Sequence, residues 1–355
     1  MSARDASRDA SRAMSSRIEP GTLAMLDRLA RWDCTNIATL RASYAAVGVA
    51  KVPADPRVRR VDAVIPGIDG RPDVSVRWYR PAAEMATDAA GALPSLPCLL
   101  WLHGGGYIMG TLDENDDRLD RMVIELGCTV VSVDWRLAPE HPYPEGLDDA
   151  ETVWRRITED PTSFGVDADR SVVGGASAGA GLAAALCLRL REIGGPQPAL
   201  QLLIYPMLDD RELTASIRAS EDPGHWGLWN LAANRLCWQA YLGSLAEGEV
   251  PPTAAPSRAT HEDLVGLAPA FLAVGDVDAF LDENLDYVTR LSNAGVPTEL
   301  HVYPGVIHGG FGSRPSTPRT SQLLHDVYGA LAAAFETQWH SEESKGTLSD
   351  VMVQS

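Results

Sequence analysis

The chain has 355 residues, 45% hydrophobic and 22% charged, an ordinary globular composition with core material for one large domain or one domain plus a smaller piece. Its formal net charge of −18 argues against nucleic acid and anionic membrane surfaces as partners. The only lysines are Lys51 and Lys345 and no phosphate-loop motif occurs, which disfavours Schiff-base and phosphate-cradling lysine chemistry.

Residues 1–20 are rich in Ser, Arg, Asp and Ala and repeat Arg-Asp-Ala-Ser, which predicts a disordered leader. Asp5 and Asp9 speak against a transit peptide, and no apolar run near the start resembles a signal peptide. Within 21–55, apolar residues recur at helical spacing from Gly21 to Arg31, and a second helix is expected from Ile37 to Val49, before Pro53 and Pro56. Both precede the first strand and are expected to pack as a cap on a main domain spanning 56–340.

Val61–Ile65 and Val74–Tyr79 alternate as strands, and Ala82–Pro94 reads as a surface loop. Cys98–Leu102 is continuously apolar, as a strand buried on both faces must be, and it delivers His103-Gly104-Gly105-Gly106-Tyr107. Three successive glycines let backbone N–H groups approach a ligand, the composition of an oxyanion-hole loop. A helix over Arg118–Leu126 and a buried strand over Thr129–Val133 lead into Asp134–Pro144, too rich in proline for regular structure.

A further helix over Asp148–Ile157 precedes the organising stretch. The apolar run from Ser171 breaks at Gly175-Ala176-Ser177-Ala178-Gly179 and resumes as an Ala/Leu-rich helix ending near Ile193. This is the pattern of a nucleophile elbow: a turn sharp enough to strain the serine backbone needs small neighbours, and the next helix aims its N-terminal N–H groups at the site. GxSxG alone is a common chance match, so its partners decide its meaning.

Leu200–Pro206 is the next strand. From about 207 to 252 the strand–helix alternation lapses into an insertion carrying Trp226, Trp229, Trp238 and Tyr241, suited to a lid over an apolar pocket. Ala270–Val274 is a strand running into Asp276-Val277-Asp278-Ala279-Phe280-Leu281-Asp282-Glu283, followed by a helix to Asn293. Thr298–Tyr303 alternates as the last strand and leads to His308-Gly309-Gly310-Phe311; a final helix spans about Ser321–Phe335, and 341–355 reads as a disordered tail. Strands alternating with helices predict an α/β class with a mostly parallel central sheet.

Ser177, an acidic cluster after a later strand and His308 after the next fall in the order Ser…Asp…His, each in a post-strand loop. On these motifs the chain resembles the hormone-sensitive-lipase-like branch of the α/β-hydrolases, the bacterial family IV esterases, from roughly Arg57 to Ala334. The resemblance implies an α/β-hydrolase fold with a helical cap and a serine carboxylesterase acting on short- to medium-chain acyl esters. Carried over residue by residue, it implies Ser177 as nucleophile, His308 as base and Asp278 as the acid that orients it, with Asp276 the rival. The oxyanion hole would be the N–H groups of Gly105, Gly106 and Ala178, while His103 braces the loop.

Candidate pocket residues are Tyr107, Trp226, Trp229 and Phe280. Two departures from the family pattern are Ala176 before the serine and an extra glycine after His308. An amidase, deacetylase or formamidase on the same triad is the rival enzyme, and a non-catalytic small-molecule receptor is a rival of another class. No cofactor and no metal are expected, and the partner is a small-molecule ester, with dimerisation common in the family. Cys34, Cys98, Cys128, Cys187 and Cys237 lack CxxC pairing and read as free thiols in a reducing, cytoplasmic compartment.

Overall fold

A computed structural model describes residues 16–26, 32–47, 51–86, 93–221, 229–312 and 317–336. The leader expected over residues 1–15, Trp226 and the tail expected over 341–355 lie outside the described residues. Eight strands form one sheet in the order β1-β2-β4-β3-β5-β6-β7-β8. They span β1 Val58–Ile65, β2 Val74–Pro81, β3 Leu96–Leu102, β4 Thr129–Val133, β5 Val166–Ala176, β6 Gln201–Ile204, β7 Ala270–Gly275 and β8 Thr298–Tyr303. β2 runs antiparallel to both β1 and β4, and β4-β3-β5-β6-β7-β8 pair in parallel.

Sequence and position agree strand by strand. β4, β6 and β7 are buried at every residue, so nearly every side chain is apolar, whereas most residues of the edge strands β1 and β8 are exposed or half-buried. In parallel strands the C-terminal ends share one edge, and here that edge gathers the loops after Leu102, Ala176, Gly275 and Tyr303.

The helix Ala178–Glu192 is buried on almost every side, as its Ala/Gly-rich sequence permits, and packs against β5, β6 and the helix Glu145–Glu159. The helix Asp116–Leu126 ends where Gly127 takes φ 60° and donates its N–H to the Val123 carbonyl. The 207–252 insertion is more regular than its sequence suggests: it holds the helices Ala215–Ala219 and Leu231–Leu242, the second started by Asn230, whose side chain accepts the Ala233 N–H at 3.0 Å.

Ahead of the sheet lie the helices Pro20–Leu26 and Ile37–Val47. Leu40 is buried in the main core, while Ile18 forms a small separate cluster with Val277 and Ile307. Arg17 donates to the Asp276 carboxylate at 2.6 Å, and the Glu19 N–H donates to the Gly305 carbonyl at 3.2 Å. No described helix is long and apolar enough to cross a membrane.

Candidate active site

β5 ends one residue before Ser177, which takes φ 57° and ψ −123°, a region costing a non-glycine residue about 1–3 kcal/mol. Its backbone is fixed from both sides: the N–H donates to the Ile204 carbonyl at 2.9 Å, and the carbonyl accepts from Gly181 at 3.0 Å and Met207 at 3.1 Å. The flanking glycines are required by packing, because a Cβ on Gly179 would lie 2.0 Å from the Leu102 carbonyl oxygen and one on Gly175 2.5 Å from it.

The structure brings Ser177, His308 and Asp278 together. Ser177 Oγ lies 2.9 Å from His308 Nε2, and His308 Nδ1 lies 2.9 Å and 3.1 Å from the two Asp278 carboxylate oxygens. All three side chains are buried. Asp278 Oδ1 also accepts the Phe280 N–H at 2.8 Å, which fixes the plane of the carboxylate. Asp276 points elsewhere: its carboxylate takes the Gly305 N–H at 2.7 Å and the Arg17 guanidinium at 2.6 Å. An imidazole so placed can accept the serine proton at Nε2 while Nδ1–H stays paired to a carboxylate.

After β3 the chain turns through three consecutive positive φ angles, 117° at Gly105, 60° at Gly106 and 65° at Tyr107. Gly106 must lack a side chain, since a Cβ there would meet the Trp229 ring at 2.5 Å and Cys237 Sγ at 2.7 Å. Among the described residues the N–H groups of Gly105, Gly106 and Ala178 have no backbone acceptor, so three donors stand unspent around Ser177. They can bind negative charge developing on an oxygen.

His103 is buried and stacks on Trp135 at 4.8 Å, with Nδ1 2.8 Å from the Gly104 carbonyl. Burial disfavours the imidazolium and pulls its pKa down to about 4, so the ring is neutral and holds the loop from below.

Tyr107, expected to line the pocket, is buried and packed. Its ring stacks on Tyr241 at 3.9 Å and its hydroxyl donates to the Met207 carbonyl at 2.9 Å, tying the loop to the segment that braces Ser177. Phe280 and Trp229 do lie at the site, with ring centroids 4.8 Å and 5.8 Å from the His308 ring, and Tyr205 meets it edge-on at 4.8 Å. The extra glycine after His308 is absorbed in a single turn, Gly310–Gly312, and Phe311 stacks on Trp101 at 5.8 Å beneath the Arg118 guanidinium at 4.8 Å.

Several supporting residues had no assigned role in the sequence. Glu283 accepts the Leu208 N–H at 2.8 Å and Asn284 donates to the Pro206 carbonyl at 2.7 Å, joining the helix after Asp278 to the strand end beside Ser177. Burial pushes the Glu283 carboxyl well above the usual range. Arg41 donates to the Ile108 and Ala138 carbonyls, each at 2.7 Å. The Asp282-Glu283 pair was visible as part of a motif; nothing in the sequence marks Arg41 or Arg17.

A family model described as alpha/beta hydrolase fold matches residues 99–312. The chain is 34% identical to Esterase LipI of Mycobacterium tuberculosis, over 77% of this chain and 81% of that protein. It is also 34% identical to Ethyl acetate hydrolase of Pseudomonas putida, over 66% of this chain and 70% of the other. Among solved structures, Bacterial Heroin Esterase superposes with a TM-score of 0.82 at 33% identity, covering 91% of this chain and 99% of that one. Esterase LipW from Mycobacterium marinum superposes with a TM-score of 0.75 at 35% identity, covering 91% and 98%.

Proposed function

The chain belongs to the α/β-hydrolase family, in its hormone-sensitive-lipase-like branch, and on that premise we propose that it is a serine carboxylesterase of small-molecule esters. The observation that carries the reading is the buried relay from Ser177 Oγ to His308 Nε2 at 2.9 Å and from His308 Nδ1 to Asp278 at 2.9 Å. Ser177 Oγ attacks the ester carbonyl carbon while its proton passes to Nε2. Asp278 holds the tautomer in which Nε2 is free and stabilises the imidazolium that forms. The carbonyl oxygen, now an oxyanion, is met by the N–H groups of Gly105, Gly106 and Ala178, each worth about 3 kcal/mol in the transition state.

The C–O bond to the alcohol then breaks, and His308 returns its proton to the leaving oxygen. Water, deprotonated by His308, cleaves the acyl-enzyme by the same route. We assign the cap to residues 21–55 and the 207–252 insertion, a reading supported by the edge-to-face contact of Trp32 with Trp229 at 6.2 Å. Trp229 and Phe280 place apolar surface beside the His308 ring, which supports an acyl ester as substrate, and we infer short to medium chains.

Five free cysteines, four of them buried, support a reducing compartment, the cytoplasm. β8 is an edge strand that exposes Leu300 and Val302, and two copies pairing there would form a homodimer. Light scattering in solution tests that pairing.

Hydrolysis of p-nitrophenyl esters from acetate to palmitate, by the wild type and Ser177→Ala, tests the activity. Activity that peaks at short chains and vanishes in the variant is the expected result. Activity surviving in Ser177→Ala overturns the mechanism, and a folded wild type silent on every ester turns the reading to amides or to a receptor.

A further inference from the structure

We propose that Arg41, on the N-terminal helix Ile37–Val47, is a positioning residue for the oxyanion loop; this rests on the esterase reading above. The Tyr107 hydroxyl anchors one side of the loop on the Met207 carbonyl, and the other side needs an anchor of its own. Three successive residues, Gly105 to Tyr107, sit at positive φ, and the turn's own hydrogen bonds, from Ile108 and Met109 N–H to the Gly105 carbonyl, close it on itself without tying it to the sheet. A loop in that conformation keeps its N–H groups aimed only if its far side is pinned.

Arg41 pins that side. Its Nε donates to the Ile108 carbonyl at 2.7 Å, one residue beyond the strained triplet, and its Nη2 donates to the Ala138 carbonyl at 2.7 Å. The Ala138 N–H in turn donates to the Tyr107 carbonyl at 3.0 Å, so one guanidinium and one peptide unit close a ring through both loops. Glu140 holds the guanidinium flat, receiving Nη1 and Nη2 at 2.7 Å each. Every donor Arg41 spends goes to one of these two loops, and none to the helix that carries it. A bridge that served only to glue the helix down would have no need to grip both the carbonyl after Tyr107 and that of the residue whose N–H bonds Tyr107. Lysine could reach one carbonyl and not both, because it lacks the planar fork.

The test compares Arg41→Met, Arg41→Lys and Glu140→Gln with the wild type, measuring kcat and KM on p-nitrophenyl acetate, the Ki of an alkyl trifluoromethyl ketone, and Tm. The ketone forms a hemiketal whose oxyanion needs the same N–H groups as the transition state. Arg41→Met is expected to lower kcat about 10- to 100-fold, part of what removal of one oxyanion donor costs. Its KM should stay within about threefold, and Ki should rise in proportion to the loss in kcat/KM. Arg41→Lys should recover part of that loss. Glu140→Gln should stay within about threefold of wild type, since the bonds to both carbonyls remain.

A folded Arg41→Met with unchanged kcat, or a loss carried by KM with unchanged ketone affinity, overturns the proposal and leaves the esterase reading standing. Should Arg41→Met not fold, Arg41→Lys must show the same loss confined to kcat and Ki, or the proposal falls. A wild type that neither hydrolyses the ester nor binds the ketone overturns both readings at once.

Discussion

Asp278→Asn isolates the acid. In the native site both carboxylate oxygens face His308 Nδ1, at 2.9 Å and 3.1 Å, and Oδ1 also takes the Phe280 N–H at 2.8 Å. An asparagine must choose between them. With its carbonyl on the Phe280 N–H, its NH2 faces Nδ1 and forces the proton onto Nε2, which then donates to Ser177 Oγ and can no longer act as base. With the amide flipped, NH2 opposes the Phe280 N–H, and two buried donors collide at a cost of about 1–3 kcal/mol. The first arrangement dominates, and the wrong tautomer lowers kcat about 10⁴-fold, equivalent to about 5 kcal/mol of barrier.

The companion variant Asp276→Asn keeps an acceptor for the Gly305 N–H and loses only the ion pair to Arg17, whose side chain is 48% exposed, so its kcat should stay within about threefold of wild type. Steady-state kinetics on p-nitrophenyl acetate with matched thermal melts read both. An Asp278→Asn enzyme retaining more than about a tenth of wild-type activity, or an Asp276→Asn enzyme equally damaged, refutes the assignment.

Three further outcomes are expected. Gly179→Ala puts a Cβ 2.0 Å from the Leu102 carbonyl oxygen and 2.4 Å from that of His103, both rigid backbone, so the protein should lose about 3 kcal/mol or more, or fail to fold, as denaturant melts will report. Gly106→Ala strains a φ of 60° and collides with Trp229 at 2.5 Å, so kcat should fall about 10²-fold while Tm moves far less. Acid stability carries two opposing contributions. His103, at about 4 folded against about 6.5 unfolded, costs stability as pH falls from 6.5 to 4, by at most about 3 kcal/mol. Glu114, raised to about 7 by burial, stabilises below pH 4.5 and loses that contribution as pH rises to 7. Tm against pH should therefore show a flattened acid limb in His103→Asn and, in Glu114→Gln, no loss of stability on going from pH 4.5 to 7.

Much of the sheet was legible because burial and composition coincide there. Thr129–Val133 and Thr298–Tyr303 have the bounds their sequence patterns suggest, while β5 begins five residues before Ser171, where Asp167, Asp169 and Arg170 interrupt the apolar run. The motif loops could be read for a similar reason: glycines crowd where backbone must approach backbone. The helix Leu231–Leu242 has little apolar contrast in its sequence because its buried side carries Asn234 while its exposed side, with Arg235 and Gln239, includes Ala232. The stacking of Tyr107 on Tyr241 has no sequence signal, since the two lie far apart in the chain. The contacts of Arg17 and Arg41 had no signal at all, since each cation finds its partner across a separation that no local pattern encodes.

The tie between Arg17 and Asp276 spans 259 positions, and Ile18 sits with Val277 and Ile307, the residues immediately preceding Asp278 and His308. During synthesis Arg17 and Ile18 therefore leave the ribosome long before Asp276, Val277 and Ile307 exist. Until β7 and β8 have been added, Ile18 lacks Val277 and Ile307, and Arg17 lacks the Asp276 carboxylate. Contacts of such separation form late, because the intervening chain must be ordered before they are rewarded. The acid and histidine loops are thus clamped late, by residues made well before them, and a nascent chain stopped before Tyr303 lacks the imidazole that would deprotonate Ser177.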